Sequence, residues 1–247
     1  MRLDIKNSKM LAKTLKAITG MSLDNTITGI TTDSRNCKPG DLYVALKGVR
    51  SDGHKYIDEV ERKNASAALV SALDDDKKLK IKQILVDDTK KTLGLIANEW
   101  RKNFKIPVIA ITGSNGKTST KELLYHVLNH KYNVHSTQGN YNTSIGLPLS
   151  LLGINKYHDI SIIEMGANQP GDIKYLCNIA DPTHGLITNI SSAHLEGFQS
   201  VENILETKIA LFNYLDEGIA YVNCADDRLR KININGKKVT YGLNAEC

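Results

Sequence analysis

Apolar and polar residues are arranged differently in the first hundred residues and in the rest of the chain. In the first part, short apolar runs bounded by Gly, Pro and Asp predict brief strands separated by modest helices. The predicted strands are 26–33, 41–48, 65–70 and 81–88, and the predicted helices are 54–64 and 89–104. Thr89 is a suitable N-cap for the second helix. The charged residues 74–80 predict a solvated loop.

From residue 106 onward the alternation becomes regular, with apolar strands followed by segments of helical period. The predicted strands are 106–112, 132–136, 159–166, 184–190, 218–223 and a last one near residue 237, and the predicted helices follow Lys117 or cover 144–152, 171–180 and 201–215. Repeated βα units predict an α/β fold with a doubly wound, mostly parallel sheet. We therefore predict two domains, residues 1–104 and residues 105–247.

The segment GSNGKTST, residues 113–120, joins a predicted strand to a predicted helix. In that geometry the free N–H groups of the turn and the helix dipole favour an anion. Lys117 can then reach the terminal phosphates of a nucleotide, and the Thr118 hydroxyl can ligate Mg²⁺. The nucleotide-binding residues predicted on this basis are Gly113, Ser114, Asn115, Gly116, Lys117, Thr118 and Ser119.

This segment departs from the Walker pattern G-x-x-x-x-G-K-[ST], because Ile111 stands where the pattern has its first glycine. A glycine-rich turn that holds no nucleotide is the alternative interpretation. The helix after the loop is predicted to gather Leu123, Leu124, Val127 and Leu128 on one face, with Lys121 elsewhere.

Further polar residues follow other predicted strands, where an open parallel sheet binds its ligands. Glu164 ends one strand and suits a metal ion beside a phosphate loop, although a capping or surface acid would look the same. His194 follows another strand, and its alternative is a structural or solvated histidine. Asn140 and Asn142 lie in a stretch that also reads as an ordinary turn.

Composition narrows the function classes. Of 247 residues, 41% are hydrophobic and 24% are charged, which is ordinary for a globular protein. The net charge of +5 is spread over lysines along the chain, so small anions fit it as well as nucleic acid, for which support is weak. The four cysteines form no C-x-x-C pair and predict free thiols in a reducing compartment. We expect no signal peptide, no membrane span and a cytoplasmic location.

Taken together, several segments resemble the Mur ligase family. They are GSNGKTSTKE (113–122), TQGNYNTSIGLPLSLL (137–152), IIEMGANQPGDIKYL (162–176), TNISSAHLEGFQS (188–200) and YVNCADD (221–227). The N-terminal segments TTDSR (31–35), PGDLYVALKG (39–48) and SDGHKYI (51–57) resemble the family's uridine-nucleotide-binding domain. The resemblance covers nearly the whole chain and is strongest to the member that adds D-alanyl-D-alanine to UDP-N-acetylmuramoyl-tripeptide.

The resemblance implies a division of labour between domains. Residues 1–104 would bind the uridine nucleotide, and residues 105–247 would form most of a P-loop-type ATP-binding domain. The family's third, C-terminal domain is absent from this sequence, so we expect these residues alone to bind the uridine nucleotide but to ligate poorly or not at all. Thr143 stands where the family usually has a second Asn, which weakens any role assigned there.

The implied reaction is an ATP-dependent ligation in peptidoglycan synthesis, and thus in cell-wall biogenesis, cell shape and division. The γ-phosphate of ATP would activate a peptide carboxylate as an acyl phosphate, which the amine of D-alanyl-D-alanine would attack. The resemblance further implies ATP and two Mg²⁺ ions as cofactors, the two small-molecule substrates as partners, and a monomer. The alternatives are another Mur-type ligase, a folylpolyglutamate synthase-like enzyme, and a non-catalytic nucleotide-binding module.

The resemblance also assigns roles to individual residues. Lys117 would neutralise the β- and γ-phosphates, Thr118 and Glu164 would ligate one Mg²⁺, and His194 would ligate a second. The substrate contacts implied are Asp33, Ser34 and Arg35 for the uridine nucleotide, Asn140 and Asn142 for the substrate or nucleotide phosphates, and Asn223 and Asp226 near the adenosine.

Lys208 lies on a predicted helix, fourteen residues after His194. By its residue type alone it reads as a solvated lysine. The family resemblance instead implies a carbamylated lysine, in which the amine has reacted with carbon dioxide and its oxygens ligate Mg²⁺. Repulsion of the ammonium by Mg²⁺ would lower the pKa of the amine and leave neutral amine available for that reaction.

Overall fold

The structure is a computed structural model that describes residues 2–23, 26–49, 51–73, 79–192, 195–234 and 236–243, with the side chains of residues 195 and 196 left aside. The chain divides into two compact units, one of residues 1–103 with 151–155 and the other of residues 104–150 with 156–247. In the described ranges, no helix has both the length and the hydrophobicity required to cross a membrane.

The first unit is a mixed sheet with helices. Its elements are β1 (Arg2–Asp4), α1 (Ser8–Thr19), β2 (Gly29–Thr31), β3 (Asp41–Val44), α2 (Ile57–Arg62), β4 (Ala67–Val70), β5 (Lys82–Leu85) and α3 (Thr89–Lys102). The strands follow one another in chain order across the sheet, β1 pairs antiparallel with β2, and the remaining pairs are parallel. Strands β3 and β4 are buried throughout, which explains their continuous apolar runs.

The sequence prediction missed β1 and α1. Helix α1 buries Leu11, Thr14 and Leu15, which is an i, i+3, i+4 pattern, and it ends at Gly20 in the left-handed conformation. Strand β1 is only three residues long and is tied to β3 by Arg2, whose Nε and Nη2 both lie 2.8 Å from the buried Asp41 carboxylate. A long-range ion pair of this kind has no local sequence signal.

The second unit confirms the predicted doubly wound sheet. Its elements are β6 (Val108–Thr112), α4 (Lys117–Leu128), β7 (Val134–Ser136), α5 (Gly146–Leu151), β8 (Ile160–Glu164), α6 (Asp172–Ala180), β9 (His184–Ile187), α7 (Leu195–Phe198), α8 (Val201–Tyr214), β10 (Ile219–Asn223), α9 (Asp227–Arg230) and β11 (Lys237–Tyr241). The strand order is β11-β10-β9-β6-β8-β7, and every pairing is parallel. The carboxyl ends of β6, β8 and β9 therefore meet at one edge, where ligands bind in such sheets.

Two local predictions were wrong. Asp88, rather than Thr89, caps α3, because its side chain accepts a hydrogen bond from the amide of Lys91, while the Thr89 hydroxyl donates to the Ala45 carbonyl. In α4, Leu123 and Val127 are exposed by 68% and 67%, and Lys121 is buried. The predicted solvated loop at 74–80 falls largely on residues 74–78, which lie outside the described residues.

The cap of α3 can be tested directly. We expect Asp88→Ala to lower the free energy of unfolding by about 1 kcal/mol, because one helix-initiating N–H group loses its partner. Asp87→Ala is the matched control, since Asp87 is also exposed and carries the same charge but precedes the cap. Chemical denaturation compares the two variants. Equal losses in both would show that charge, rather than capping, is responsible.

Candidate functional site: a phosphate-binding loop and its supports

The loop between β6 and α4 is built around two glycines in left-handed or extended-positive backbone conformations. Gly113 has φ of 144° and Gly116 has φ of 77°, values that side chains strongly disfavour. Gly116 is the N-cap of α4 and supplies no side-chain hydrogen bond to the helix. Within the described residues, the N-cap therefore leaves the first amide groups of α4 without a side-chain cap, and the helix dipole makes an anion the favoured ligand there.

A second loop, residues 188–191 after β9, holds the phosphate loop in place. The amides of Ser114 and Asn115 donate to the backbone and side-chain oxygens of Asn189, at 2.9 and 3.2 Å. The Thr188 hydroxyl donates to the Asn115 carbonyl at 2.6 Å, and the Ser191 amide donates to the Ser114 hydroxyl at 2.9 Å. These contacts fix the shape of the loop without using the amide groups at the start of α4.

Gly113 is required by this contact as well as by its φ angle. A Cβ atom built at Gly113 would lie 1.8 Å from the Thr188 hydroxyl oxygen, far inside van der Waals contact. By contrast, a Cβ atom at Gly116 meets nothing within 4 Å. Gly113 is therefore needed for packing against the second loop and for its backbone conformation, whereas Gly116 is needed for its backbone conformation alone.

Asn223 and Asp226, predicted to lie near the adenosine, form a further layer of support. The Asn223 side-chain amide donates to the Thr188 carbonyl at 2.9 Å. One Asp226 carboxylate oxygen accepts from the Ile190 amide at 2.8 Å, and the other accepts from the first amides of α9. Their observed contacts are thus with the loop that braces the phosphate loop.

Lys117 folds back over the loop in this structure. Its ammonium donates to the carbonyls of Gly113 and Ser114, at 2.9 and 3.3 Å. Burial lowers the pKa of Lys117, and the charge of Glu164 partly opposes that effect. The ammonium is thus held within the loop by the carbonyls of the loop itself.

Glu164 ends β8 beside the loop and is 2% exposed, so the interpretation as a surface acid is wrong. One of its carboxylate oxygens accepts from the Thr118 hydroxyl at 2.9 Å, and the other accepts from the Asn142 side-chain amide at 2.8 Å. Asn142 therefore contacts the predicted metal ligand, whereas Asn140 is exposed and its carbonyl accepts from the Asn142 amide.

The oxygen atoms of Thr118 and Glu164 fit a Mg²⁺ ion. Both are hard donors, and Mg²⁺ in nucleotide sites takes one or two protein oxygens and completes its shell with phosphate and water. No three His, Cys, Asp or Glu side chains converge into a metal site by themselves in the part of the chain that is described. His194, the predicted ligand of a second ion, lies outside the described residues.

Lys208 is buried on α8 with 4% exposure, so the interpretation as a solvated lysine is wrong. Burial, together with the charge of Lys117, lowers the pKa of Lys208 to about 8. A much larger fraction of this side chain is consequently neutral amine near neutral pH than for an exposed lysine.

In the first unit, Asp33, Ser34 and Arg35 begin a single 3₁₀ turn. The Asp33 carboxylate caps the turn and pairs with Arg35 at 2.8 Å, which lowers the pKa of Asp33. The Ser34 hydroxyl donates to the Glu59 carboxylate at 2.8 Å, and Lys63 donates to the Ser34 carbonyl at 2.7 Å. The guanidinium of Arg35 is exposed and is the most accessible group of the three.

Sequence reasoning missed the residues that support the site. Thr188, Asn189 and Ser191 belong to a segment in which His194 was the only residue predicted to have a role in the site. Their signal was their place after β9, the strand next to β6 in the sheet. Lys121 was placed on the polar side of α4, although its spacing from Leu124 and Leu128 puts it on the buried stripe.

The fold and the loop define an α/β protein with a phosphate-binding loop. Residues 111–247 match the Mur ligase middle domain, and residues 26–101 match the Mur ligase family catalytic domain. The middle-domain match alone covers more than half of the chain, so the chain belongs to the Mur ligase family.

Individual relatives agree with this assignment. The chain is 39% identical over 237 residues to UDP-N-acetylmuramoyl-tripeptide–D-alanyl-D-alanine ligase of Synechocystis sp., covering 94% of this chain and 52% of the relative. It is 38% identical to the ligase of the same name from Escherichia coli, covering 87% and 48%. The chain thus spans about half the length of the curated relatives it matches.

Solved structures give the same picture. MurF from Acinetobacter baumannii superposes with a TM-score of 0.88 at 33% identity, covering 95% of this chain and 53% of that one. MurF from Thermotoga maritima in complex with ADP superposes with a TM-score of 0.80 at 39% identity, covering 86% and 50%. The predicted α/β class, with a P-loop-type parallel sheet after a smaller unit, is therefore confirmed.

Burial of the Lys208 ammonium leads us to predict that the stability of the fold depends on pH. Its pKa is about 8 in the folded chain against 10.5 for the free side chain, so the unfolded chain binds more protons between these values and stability rises with pH there. We expect Lys208→Met to be more stable than the unmodified chain below pH 8, by an amount on the order of 3 kcal/mol. This difference should shrink as the pH rises toward 10.5.

Denaturation curves from pH 6.5 to 10.5 in CO₂-free buffer provide the measurement, over a range that includes both pKa values. Lys174→Met, on the exposed side of α6, is the matched control and should show no such trend. If the stability of Lys208→Met follows the same pH profile as that of the chain without substitutions, burial of the Lys208 ammonium does not destabilise the fold.

Proposed function

We propose that this chain carries the uridine-nucleotide-binding and ATP-binding parts of a ligase that joins D-alanyl-D-alanine to UDP-N-acetylmuramoyl-tripeptide. The observation that carries the proposal is the contact of Thr118 in the phosphate loop with the buried Glu164 carboxylate, at 2.9 Å. The relatives that bear this enzyme name supply the substrates, at 39% and 38% identity.

The reaction needs ATP because a carboxylate is a poor electrophile whose leaving group would be oxide. Transfer of the γ-phosphoryl group to the peptide carboxylate gives an acyl phosphate and ADP. The amine of D-alanyl-D-alanine then attacks the acyl carbon, an amide bond forms, and inorganic phosphate leaves with the C–O bond electrons. This reaction makes two demands on the protein. The first is to hold crowded negative charges in line, and the second is to shield the acyl phosphate from water.

The residues of the phosphate loop are suited to the first demand. The free amides at the start of α4 would bind the β-phosphate, with Lys117 moving from its own loop carbonyls to the β- and γ-phosphates. Thr118 and Glu164 would hold Mg²⁺, which when bound offsets phosphate charge. Asn142 keeps the Glu164 carboxylate oriented, and Asn223 and Asp226 keep the bracing loop in place.

In the first unit we propose a separate site for the uridine nucleotide at residues 33–35. Arg35 is the exposed cation of this turn, and its pairing with Asp33 is a surface ion pair of small net value. A diphosphate would therefore compete for the guanidinium at little cost. Ser34, which is buried against Glu59, would fix the backbone of the turn.

The setting follows from the same chemistry. Cell-wall precursor synthesis from ATP and a uridine nucleotide, together with the free buried thiols of Cys37, Cys177 and Cys224, supports a role in the cytoplasm and in cell shape and division. We expect a monomer with only small-molecule substrates. His194 stays a predicted ligand of a second Mg²⁺, and Asn140 a predicted contact of the substrate phosphates.

Ligand binding to the purified chain tests the proposal. We expect calorimetry to show separate binding of Mg·ATP and of UDP-N-acetylmuramoyl-tripeptide. Lys117→Ala should lose ATP affinity by roughly a hundredfold, because a charge-assisted contact worth about 3 kcal/mol disappears, and should retain the uridine nucleotide. Lys131→Ala, an exposed lysine beyond the end of α4, is the control.

Three outcomes of that experiment would contradict the proposal. The first is an unchanged ATP affinity in Lys117→Ala. The second is a chain that binds ATP but does not bind the uridine nucleotide, and the third is a preference for a folate or a shorter uridine-linked peptide. The second outcome points to a nucleotide-binding module, and the third to a related ligase. ATP hydrolysis that depends on both the tripeptide substrate and D-alanyl-D-alanine would extend the test from binding to turnover.

We further propose that Lys208 is carbamylated when the site is loaded. Its burial and lowered pKa supply the neutral amine that attacks carbon dioxide, and the N–H proton lost leaves an anionic carbamate with two oxygens. Such oxygens suit Mg²⁺, and the change of sign relieves the repulsion from Lys117.

Carbon-13 NMR with labelled bicarbonate tests the carbamate. We expect a carbamate signal in the chain without substitutions when Mg·ATP is bound. The signal should be lost in Lys208→Met and retained in Lys174→Met. Absence of the signal from the loaded chain would contradict the carbamate, whereas the proposed ligase function would still rest on the binding experiment.

A further inference from the structure

Lys121 is a buried cation that has no role in the proposed binding of the nucleotide or of Mg²⁺. It lies one helical turn after Lys117 on α4 and is 1% exposed. Leu124 and Leu128 continue the same stripe of the helix and pack on the apolar cluster around Ile111 and Ile162. An ammonium in such surroundings is unfavourable unless it is paired and hydrogen-bonded, so its partners indicate its purpose.

The partners of Lys121 are a counter-charge and a backbone oxygen. Its Nζ lies 2.8 Å from the carboxylate of Glu122, whose side chain is 61% exposed. The same Nζ donates to the carbonyl of Thr137 at 2.7 Å, in a buried hydrogen bond. Glu122 balances the charge, and the contact with Thr137 ties α4 to the chain after β7.

Thr137 connects this contact to Glu164. Thr137 is fully buried, and its amide donates to the Ile162 carbonyl at 3.0 Å, so it continues the pairing of β7 with β8. Its hydroxyl oxygen accepts from the backbone amide of Glu164 at 3.1 Å. The peptide group that carries Glu164 is therefore held by the residue that Lys121 holds.

Helix α4 thus reaches Glu164 by two routes. From its first turn, the Thr118 hydroxyl contacts the Glu164 carboxylate directly. From its second turn, Lys121 acts through Thr137 on the Glu164 backbone. The loop that starts at Thr137 also carries Asn142, which contacts the other carboxylate oxygen. A carboxylate held on its main chain and on both oxygens has little freedom to turn away from Thr118.

We propose that Lys121 is a positioning residue that sets the Glu164 carboxylate against Thr118 for a divalent cation bound with the nucleotide. The inference rests on the proposed function, because it takes Mg²⁺ and a nucleotide as the ligands of this site. Lys121 touches neither ligand in this role. Groups that orient a metal ligand commonly change metal affinity by about ten- to a hundredfold when they are removed.

The sign of the effect separates positioning from simple electrostatics. A cation near the site repels Mg²⁺, so by charge alone the loss of Lys121 would strengthen Mg²⁺ binding. Loss of a positioning contact would weaken it instead. A purely structural role would lower stability while leaving the dependence on Mg²⁺ unchanged.

The experiment measures the Kd of ADP by calorimetry, with saturating Mg²⁺ and with EDTA, and compares between variants the ratio of the Kd in EDTA to the Kd in Mg²⁺. We expect Lys121→Met to reduce this ratio roughly tenfold while ADP affinity in EDTA changes little. Leu124→Ala is the matched control, because it loosens the same face of α4 without touching Thr137 and should leave the ratio unchanged.

A second variant tests the same route if Lys121→Met fails to fold. Thr137→Val keeps the shape of the side chain but removes the hydroxyl acceptor of the Glu164 amide, so it should reduce the ratio in the same direction. Hydrogen exchange at the Glu164 amide should be faster in both variants than in Leu124→Ala.

Each outcome decides between interpretations. A ratio that is unchanged or higher in Lys121→Met and in Thr137→Val overturns the inference while the proposed function stands. If the unmodified chain binds no ADP, the proposed function itself is contradicted. If it binds ADP without any influence of Mg²⁺, the cation site at Glu164 is contradicted together with the role of Lys121.

Discussion

The second unit depends on one constraint, which is that the amides at the start of α4 must stay unpaired while the loop in front of them keeps a fixed shape. A loop that satisfied its own backbone would have nothing left for a ligand. The structure meets the constraint by supporting the loop from outside, through residues 188–191 and then through Asn223 and Asp226. Parallel pairing of β6 with β9 brings these supports to the loop.

The same reasoning explains the buried polar groups near β8. Glu164, Thr137 and Lys121 would each be unfavourable alone in the interior. Lys121 donates to Thr137, Thr137 accepts from the Glu164 amide, and the Glu164 carboxylate accepts from Thr118 and Asn142, so the identified hydrogen bonds form a network from α4 to the end of β8. Satisfied networks of this kind rigidify a site. Here the network surrounds Glu164, whose carboxylate has to keep its orientation toward Thr118.

The parallel sheet and the phosphate loop could be predicted because their signals are local: apolar runs, glycines at a turn and a change of period at Lys117. The supports could not, because Thr188, Asn189 and Asp226 act across more than thirty residues of sequence. Burial of Lys121 and Lys208 was hidden for a related reason, since lysine usually marks a solvated face. The strand β1 depends on the distant Asp41 in the same way.

The folded-back position of Lys117 has a consequence for selectivity. Because its ammonium already donates to the carbonyls of Gly113 and Ser114, an arriving anion has to exchange for these bonds rather than add to a bare charge. A small anion such as chloride or a single phosphate offers little in that exchange. A polyphosphate offers several oxygens at once, to the helix amides as well as to the lysine. A loop of this shape would therefore discriminate by the number of simultaneous contacts, and thus by the length of the phosphate chain.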